Sequence, residues 1–233
     1  MSKNLADEAT IIKISEEKPL RYIIQNLENT YGEPYLSKKS NVLAMLINII
    51  LSQATSDANS KRTFENLENH FENWENVLAA DEAEIAEVIR LGGLANQKSK
   101  VIKRLLLQIK ETRGKLSLDF LAETGDAAAR DYLMQFSGIG PKTVACTLLF
   151  ARNKEVFPLD THIFRVLKRM GILPQKITDA KAHKFLDALV PRGKFYSLHV
   201  NLIRLGRRIC RPREPLCEQC PLIEYCDYGM NKI

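Results

Sequence analysis

Four cysteines crowd a short stretch near the C-terminus of the chain. Their spacing is Cys210-x6-Cys217-x2-Cys220-x5-Cys226. Iron–sulfur clusters are commonly held by four cysteine thiolates, and structural zinc can use four as well. Zinc modules usually place two short Cys-x2–4-Cys pairs far apart, whereas here only Cys217 and Cys220 form such a pair. The spacing therefore favours an iron–sulfur cluster and leaves zinc open.

A cationic segment adjoins the first of these cysteines. Residues 204–213 contain no acidic side chain and five arginines: Arg204, Arg207, Arg208, Arg211 and Arg213. Such a local concentration of positive charge suits a polyanionic partner. The whole chain is only mildly basic, with 34 Lys and Arg against 28 Asp and Glu. The net charge of +6 therefore does not identify a partner by itself.

A second informative stretch reads Phe136-Ser-Gly-Ile-Gly-Pro-Lys-Thr143 and lies between two helical patterns. Gly138 and Gly140 permit positive φ angles and the close approach of another backbone. Pro141 suits the first turn of the second helix, where unpaired backbone N–H groups can bind a phosphate. The motif predicts a helix-hairpin-helix that holds the sugar-phosphate backbone of DNA without reading its sequence. The alternative is an ordinary turn between two helices.

Lys142 follows that proline and falls in the first turn of the second helix. The positive end of the helix dipole disfavours an ammonium there, which makes a neutral, nucleophilic amine more accessible. Such an amine can attack a sugar C1′ atom and form a Schiff base. A lysine that only contacts a phosphate fits the same chemistry equally well.

Asp160 stands in the segment Leu159-Asp-Thr-His-Ile-Phe-Arg-Val166. An aspartate in this position is a good helix N-cap. The functional interpretation is a carboxylate that takes up protons and stabilises positive charge on a sugar. Both roles can hold together, because a cap uses one carboxylate oxygen. His162 is expected to be structural or to lie beside a phosphate.

The elements that position these residues are predicted to be helices. Leu20, Ile23, Ile24 and Leu27 follow helical spacing. The apolar run at 42–51 is shorter than the roughly 20 residues of a membrane-spanning helix, so it predicts a buried helix. Further helices are predicted near 60–70, 82–90, 98–112, 127–136, 142–151, 161–170, 179–189 and 195–208.

Three motifs, taken in order, resemble the endonuclease III branch of the helix-hairpin-helix DNA glycosylases. They are the glycine hairpin, the segment around Asp160 and the cysteine loop, and the resemblance extends from about residue 20 to 228. It implies an all-α, two-lobed fold. One lobe is a six-helix bundle at 34–154, and the other joins 1–33 to 155–233. The second lobe would hold a [4Fe–4S] cluster on Cys210, Cys217, Cys220 and Cys226.

The resemblance also implies a bifunctional DNA glycosylase and AP lyase of base excision repair. Lys142 matches the catalytic lysine of that family and Asp160 its catalytic aspartate. The lysine would displace a damaged base, expected to be an oxidised pyrimidine, from a flipped-out nucleotide. The imine that results would permit β-elimination and a nick 3′ to the lesion. A monomer would bind double-stranded DNA that contains damaged bases or abasic sites.

Two loops match DNA-probing residues of the family. Leu94 matches an apolar wedge that enters the base stack, although it could also be a core residue. Gln53 matches the residue that fills the space left by the base, although it could cap a helix. Ala54 aligns at the same place, so the filler within residues 52–57 stays open. The other expected DNA contacts are Gly138, Gly140, Thr143, His162, Arg211 and Arg213.

Two alternative functions remain. A monofunctional mismatch glycosylase is disfavoured, because related adenine-mismatch enzymes lack the hairpin lysine and carry a further C-terminal domain. A non-catalytic helix-hairpin-helix DNA-binding protein is disfavoured by the joint presence of Lys142 and Asp160. The preferred lesion is not specified by the sequence.

The expected location is intracellular, cytoplasmic and associated with the nucleoid. The N-terminus has no apolar core of the signal-peptide kind, and no membrane partner is expected. In a reducing compartment clustered cysteines are more often metal ligands than disulfides. Cys146 lies outside the cluster motif and is expected to be a buried thiol.

Overall fold

The computed structural model describes residues 20–232, and this part of the chain is helical. It contains twelve α-helices, four short 3-10 helices and no β-strand, which confirms the all-α prediction. None of the described helices combines the length and apolar character that crossing a membrane requires. The part of the domain predicted for residues 1–33 that precedes Leu20 lies outside the described residues.

The helices follow one another with short connections. They are α1 (Leu20–Tyr31), α2 (Val42–Ser52), α3 (Asp57–His70), α4 (Trp74–Ala79), α5 (Glu82–Val88), α6 (Ala95–Arg113), α7 (Asp126–Leu133), α8 (Pro141–Arg152), α9 (Thr161–Arg169), α10 (Asp179–Leu189), α11 (Phe195–Arg208) and α12 (Asp227–Met230).

The described residues divide into two compact units. One consists of Lys39–Arg152, and the other joins the described residues up to Lys38 to those from Asn153 onward. The domain limits at residues 34 and 154 stay a prediction, because compactness does not show that either part folds independently.

Helix α2 forms the centre of the Lys39–Arg152 unit, where it packs against α3 and α8. Its buried residues are Val42, Leu43, Leu46, Ile47, Ile50 and Leu51. A helix that is apolar on most of its surface is stable only when neighbouring elements cover it. Because α2 is held on several sides, both of its ends are fixed, including the C-cap residue Gln53.

The other unit attaches the N-terminal helix α1 to α11. Leu20, Ile23, Ile24 and Leu27 of α1 are buried, as their spacing predicts. Glu28 accepts two hydrogen bonds from the Lys194 ammonium, both at 3.0 Å. Ser197 donates a third at 2.7 Å. Hydrogen bonds from Lys194 to Glu33 and then to Glu28 raise the pKa of Lys194.

Candidate functional site

The glycine hairpin connects α7 to α8, and its two glycines meet different demands. Gly138 has a φ of +85°, and a Cβ atom at this position would lie 3.2 Å from a methyl group of Val101. A Cβ atom on Gly140 would meet no atom within 4 Å. Gly138 is therefore required by the fold, whereas the space beside Gly140 is free for a ligand to approach.

Lys142 is the second residue of α8, and its side chain is exposed. The described residues offer its ammonium no hydrogen-bond or ion-pair partner. Thr143 is only 7% exposed, and its hydroxyl accepts a hydrogen bond from the Gln53 amide at 3.2 Å. The Gln53 amide therefore occupies an acceptor site of this hydroxyl, and the contact of Thr143 with DNA stays a prediction.

The loop after α2 places Gln53 and Ala54 at the surface. Gln53 is the C-cap of α2, and its backbone N–H bonds to the Ile50 carbonyl at 3.3 Å. Its side chain is engaged with Thr143 of the hairpin helix. Ala54 has a φ of +53°. Gln53 therefore caps α2. That Gln53 or Ala54 fills the space left by a flipped base stays a prediction.

Leu94 is the residue before α6, and the structure excludes a place for it in the core. Its side chain is 56% exposed. Its φ of +51° lies in the left-handed region, which is uncommon for a residue other than glycine. Its exposure leaves the side chain accessible, and its role as an inserting wedge stays a prediction.

Lys98 was not singled out from the sequence, yet it connects the two loops. Lys98 is only 3% exposed. The ammonium donates to the Leu51 carbonyl at 2.7 Å and to the Gly92 carbonyl at 2.8 Å. Burial lowers the pKa of Lys98. The available signal was its helical spacing with the buried Ile102 and Leu105, which places a lysine on the apolar face of α6.

Asp160 is the N-cap of α9, as its sequence context predicts. Its Oδ1 accepts the backbone N–H of Ile163 at 2.8 Å. Its Oδ2 forms no hydrogen bond with the described residues, and the residue is half-buried. One carboxylate oxygen is therefore occupied by the cap and the other is available for chemistry.

The extended segment that leads to Asp160 is held by three side chains that the sequence analysis missed. Asp187 accepts the Phe157 N–H at 2.7 Å. His183 and His199 bond through Nδ1 to the carbonyls of Phe157 (2.9 Å) and Pro158 (3.0 Å). A carbonyl can only accept, so both histidines carry hydrogen on Nδ1. Their local sequence gives no sign of this role, because they lie on α10 and α11, far along the chain from the segment that they hold.

The four cysteines line one small pocket, together with Arg169, Ile209, Pro215, Ile223, Tyr228 and Gly229. Arg169 donates to the Cys210 sulfur at 3.3 Å. Burial, with smaller contributions from the other three thiols, raises the pKa of Cys220 to about 11. Burial likewise raises the pKa of Cys226. No group of three or more His, Cys, Asp or Glu side chains within 20–232 has an arrangement suited to a single metal ion.

The arginines near this pocket divide into two groups. Arg211 and Arg213 are exposed. Arg204 is instead used within the fold, since it donates to the Tyr31 carbonyl at 2.9 Å. Arg169 bonds to the carbonyls of Arg211 (2.7 Å) and Pro212 (3.0 Å) and so holds the start of the loop.

His162 lies against α11. Its Nδ1 is 3.2 Å from Nη2 of Arg165. A Cβ atom on Gly206 would lie 2.9 Å from the Cβ atom of His162, so the two helices approach closely there. These contacts give His162 a structural place, and its contact with DNA stays a prediction.

Comparison with known proteins gives one family and several relatives. The family model of the HhH-GPD superfamily of base excision DNA repair proteins matches residues 47–192. Endonuclease III of Sulfolobus acidocaldarius is 31% identical over 198 residues, which cover 84% of this chain and 86% of that protein. These matches confirm the resemblance inferred from the three motifs.

Two solved structures share the fold. One is a trapped endonuclease III–DNA covalent intermediate, with a TM-score of 0.77 and 24% identity over 93% of this chain and 98% of that one. The other is a thermostable thymine-DNA glycosylase, with a TM-score of 0.77 and 21% identity over 93% of this chain and 99% of that one. At these identities the likeness confirms the fold and does not choose between the reactions.

The two hairpin glycines should respond differently to alanine. Gly138→Ala places a Cβ atom against Val101 at a left-handed φ and should lower the free energy of unfolding by about 1–2 kcal/mol. Gly140→Ala meets no atom and should change it by less than about 0.5 kcal/mol. Urea unfolding of both variants measures this, and equal losses would contradict the assignment.

Proposed function

Because the chain belongs to the endonuclease III branch of the HhH-GPD superfamily of base excision DNA repair proteins, we propose that it removes damaged bases from double-stranded DNA and then cleaves the abasic strand. Lys142 is the proposed nucleophile. One observation carries this assignment: an exposed lysine, to which residues 20–232 offer no partner, stands in the first turn of the helix that follows the glycine hairpin.

Base removal begins with a nucleotide turned out of the duplex, because the reacting C1′ atom is inaccessible within the stack. The neutral amine of Lys142 attacks C1′ and forms a C–N bond. The glycosidic bond breaks, and its electron pair leaves with the base, which takes up a proton. The deoxyribose is then joined covalently to the lysine.

Strand cleavage follows from the same bond. Ring opening converts the adduct into a protonated imine, which acidifies the hydrogens on C2′. Loss of one C2′ proton expels the 3′ phosphate by β-elimination, so the strand is nicked 3′ to the lesion. Water then hydrolyses the imine and frees the lysine for another cycle. The lysine therefore serves both activities. A glycosylase that activates water instead does not need such a lysine.

Asp160 is the proposed acid–base group. Its Oδ1 stays bound to the Ile163 N–H, which keeps the carboxylate in one orientation. Its Oδ2 can take a proton from the attacking amine and stabilise positive charge that develops on the sugar. The preceding segment donates a hydrogen bond to Asp187 and accepts hydrogen bonds from His183 and His199, and these bonds hold this carboxylate in position.

The DNA is held mainly through its phosphates. The free space at Gly140 and the N–H groups in the first turn of α8 form one proposed phosphate site. Arg211 and Arg213 are the proposed contacts from the cysteine loop. Leu94 is proposed to enter the base stack, and Gln53 or Ala54 to fill the space left by the base.

The proposed cofactor is a [4Fe–4S] cluster on Cys210, Cys217, Cys220 and Cys226. All four line one pocket, which supports a shared inorganic group. The spacing contains only one short Cys-x2-Cys pair, which favours an iron–sulfur cluster over zinc. The proposed role of the cluster is to shape the loop that carries Arg211 and Arg213.

Oxidised pyrimidines are the proposed bases, and the nucleoid is the proposed location because the substrate is DNA. The thymine-DNA glycosylase that shares the fold shows that related chains act on another base. Lesion choice depends on the pocket that receives the flipped base.

The amine of Lys142 can be trapped directly. With a duplex that contains an abasic site or thymine glycol, borohydride should reduce the imine and leave a protein–DNA adduct. Lys142→Ala should form no adduct, because no other amine replaces the nucleophile. Lys61→Ala changes an exposed lysine paired with Glu65 and serves as the matched control. An adduct that persists in Lys142→Ala would place the nucleophile on another residue.

Asp160→Asn separates the cap from the chemistry. Asparagine caps helices as well as aspartate, so thermal stability and DNA affinity should hold. Removal of the proton acceptor should slow base release about 10²–10⁴-fold. Single-turnover excision and a melting curve on the same protein measure both effects. Full activity in the variant would reduce Asp160 to a structural cap.

The cysteine pocket can be tested by metal content. Cys220→Ser replaces one proposed thiolate ligand and should lower iron and acid-labile sulfide per chain. Cys146→Ala alters the cysteine outside the pocket and should leave both unchanged. Elemental analysis of the purified proteins gives the readout, and zinc in place of iron would overturn the cluster assignment.

A further inference from the structure

Lys98 is an unusual residue for the interior of a protein. Lysine is almost never fully buried unless its charge is paired, yet Lys98 is 3% exposed. Its partners are two backbone carbonyls rather than a carboxylate. Burying an ammonium in this way costs stability, and burial accordingly lowers the pKa of Lys98. A methionine would fill the same space without a charge.

The two carbonyls belong to different segments, each of which leads into one of the two loops. Leu51 lies in the last turn of α2, where the backbone carbonyls have no partner within the helix. Gly92 ends the short 3-10 helix that precedes Leu94. The backbone N–H of Lys98 bonds to the Leu94 carbonyl at 2.9 Å, which is an ordinary bond of the first turn of α6 and does not depend on the side chain. The Lys98 side chain therefore joins the end of α2, two residues before Gln53, to the segment that leads to Leu94.

The loop with Leu94 is confined on its other side too. A Cβ atom on Gly92 would lie 3.0 Å from the Thr63 side chain, so α3 closes the space behind it. Leu94 and Ala54 both hold left-handed φ angles, and such conformations persist only when the surrounding structure holds them. The bond from the Lys98 ammonium to the Gly92 carbonyl, two residues before Leu94, contributes to that restraint.

We propose that Lys98 is a positioning residue that fixes the separation between the loop of Gln53 and Ala54 and the loop of Leu94, so that both enter the DNA base stack as one rigid unit. The proposal rests on the proposed function, because it assigns a purpose to those loops. The physical link is the buried ammonium, which donates to both the Leu51 and the Gly92 carbonyls.

The role predicts a selective defect. Keeping a nucleotide out of the duplex requires both insertions, whereas an abasic site in single-stranded DNA has no stack to hold open. A misplacement of about 1 Å at such a site can cost about 10²-fold in rate. Lys98→Met should therefore slow base excision from a duplex by about tenfold to a hundredfold. Imine trapping on a single-stranded abasic oligonucleotide should stay within about twofold of the wild type.

The matched control is Lys103→Met. Lys103 lies on the same helix, and its ammonium likewise donates to a backbone carbonyl, that of Ala80. This bond involves neither loop, so Lys103→Met should not slow excision from a duplex more than it slows imine trapping on single-stranded DNA. A 2-aminopurine base placed beside the lesion reports unstacking directly, and its fluorescence gain on binding should shrink in Lys98→Met alone.

A double-mutant cycle with Leu94→Ala sharpens the test. If Lys98 acts through the loops, adding Lys98→Met to Leu94→Ala should slow duplex excision less than it slows the wild type. If Lys98→Met slows duplex excision by the same factor in Leu94→Ala as in the wild type, the proposal is overturned. Equal losses on duplex and single-stranded DNA would also overturn it, because they indicate a general structural role. The absence of a loss on either substrate would overturn it as well. Should Lys98→Met fail to fold, Lys98→Gln replaces it in each measurement.

Failure of the proposed function gives a different result. In that case the wild type itself forms no adduct and releases no base, whichever residue stands at position 98. An active wild type with an unselective Lys98→Met leaves the proposed function in place and removes only the inference about Lys98.

Discussion

Most residues proposed for function lie near a helix end, and the unpaired backbone groups at those ends are the constraint on which the structure depends. Buried N–H and C=O groups must find partners. Here side chains from distant segments supply them: Lys98 for Leu51 and Gly92, and His199 for Pro158. Because each of these bonds has a defined length and direction, satisfying the backbone also positions the candidate site.

The need to hold these loops in one conformation explains why several local features are individually unfavourable. A buried lysine and a leucine with a left-handed φ angle each cost free energy. Both occur within five residues of one another, around Leu94 and Lys98. Concentrated strain of this kind is typical of sites where a rigid shape is needed for binding rather than for stability. Elsewhere in the unit, ordinary apolar packing around α2 provides the stability that such a loop requires.

Short-range patterns predicted much of the fold and part of the candidate site. The spacing of Leu20, Ile23, Ile24 and Leu27 predicted the buried face of α1, and the apolar run at 42–51 predicted a buried helix. The context of Asp160 predicted its cap. The same patterns missed the short helix α4, which spans only six residues and has a single buried side chain. A helix of that length has too few positions to show a period.

The sequence by itself determined the helical periods, the glycine hairpin with its lysine and the set of four cysteines, because these signals arise from residues close together along the chain. Tertiary structure alone decided that Leu94 is exposed, that Arg204 bonds to Tyr31 instead of facing solvent, and that Lys98 joins two loops. The physical reason is that a hydrogen bond between residues dozens of positions apart depends on how helices pack. No local pattern records which distant carbonyl a buried side chain will reach.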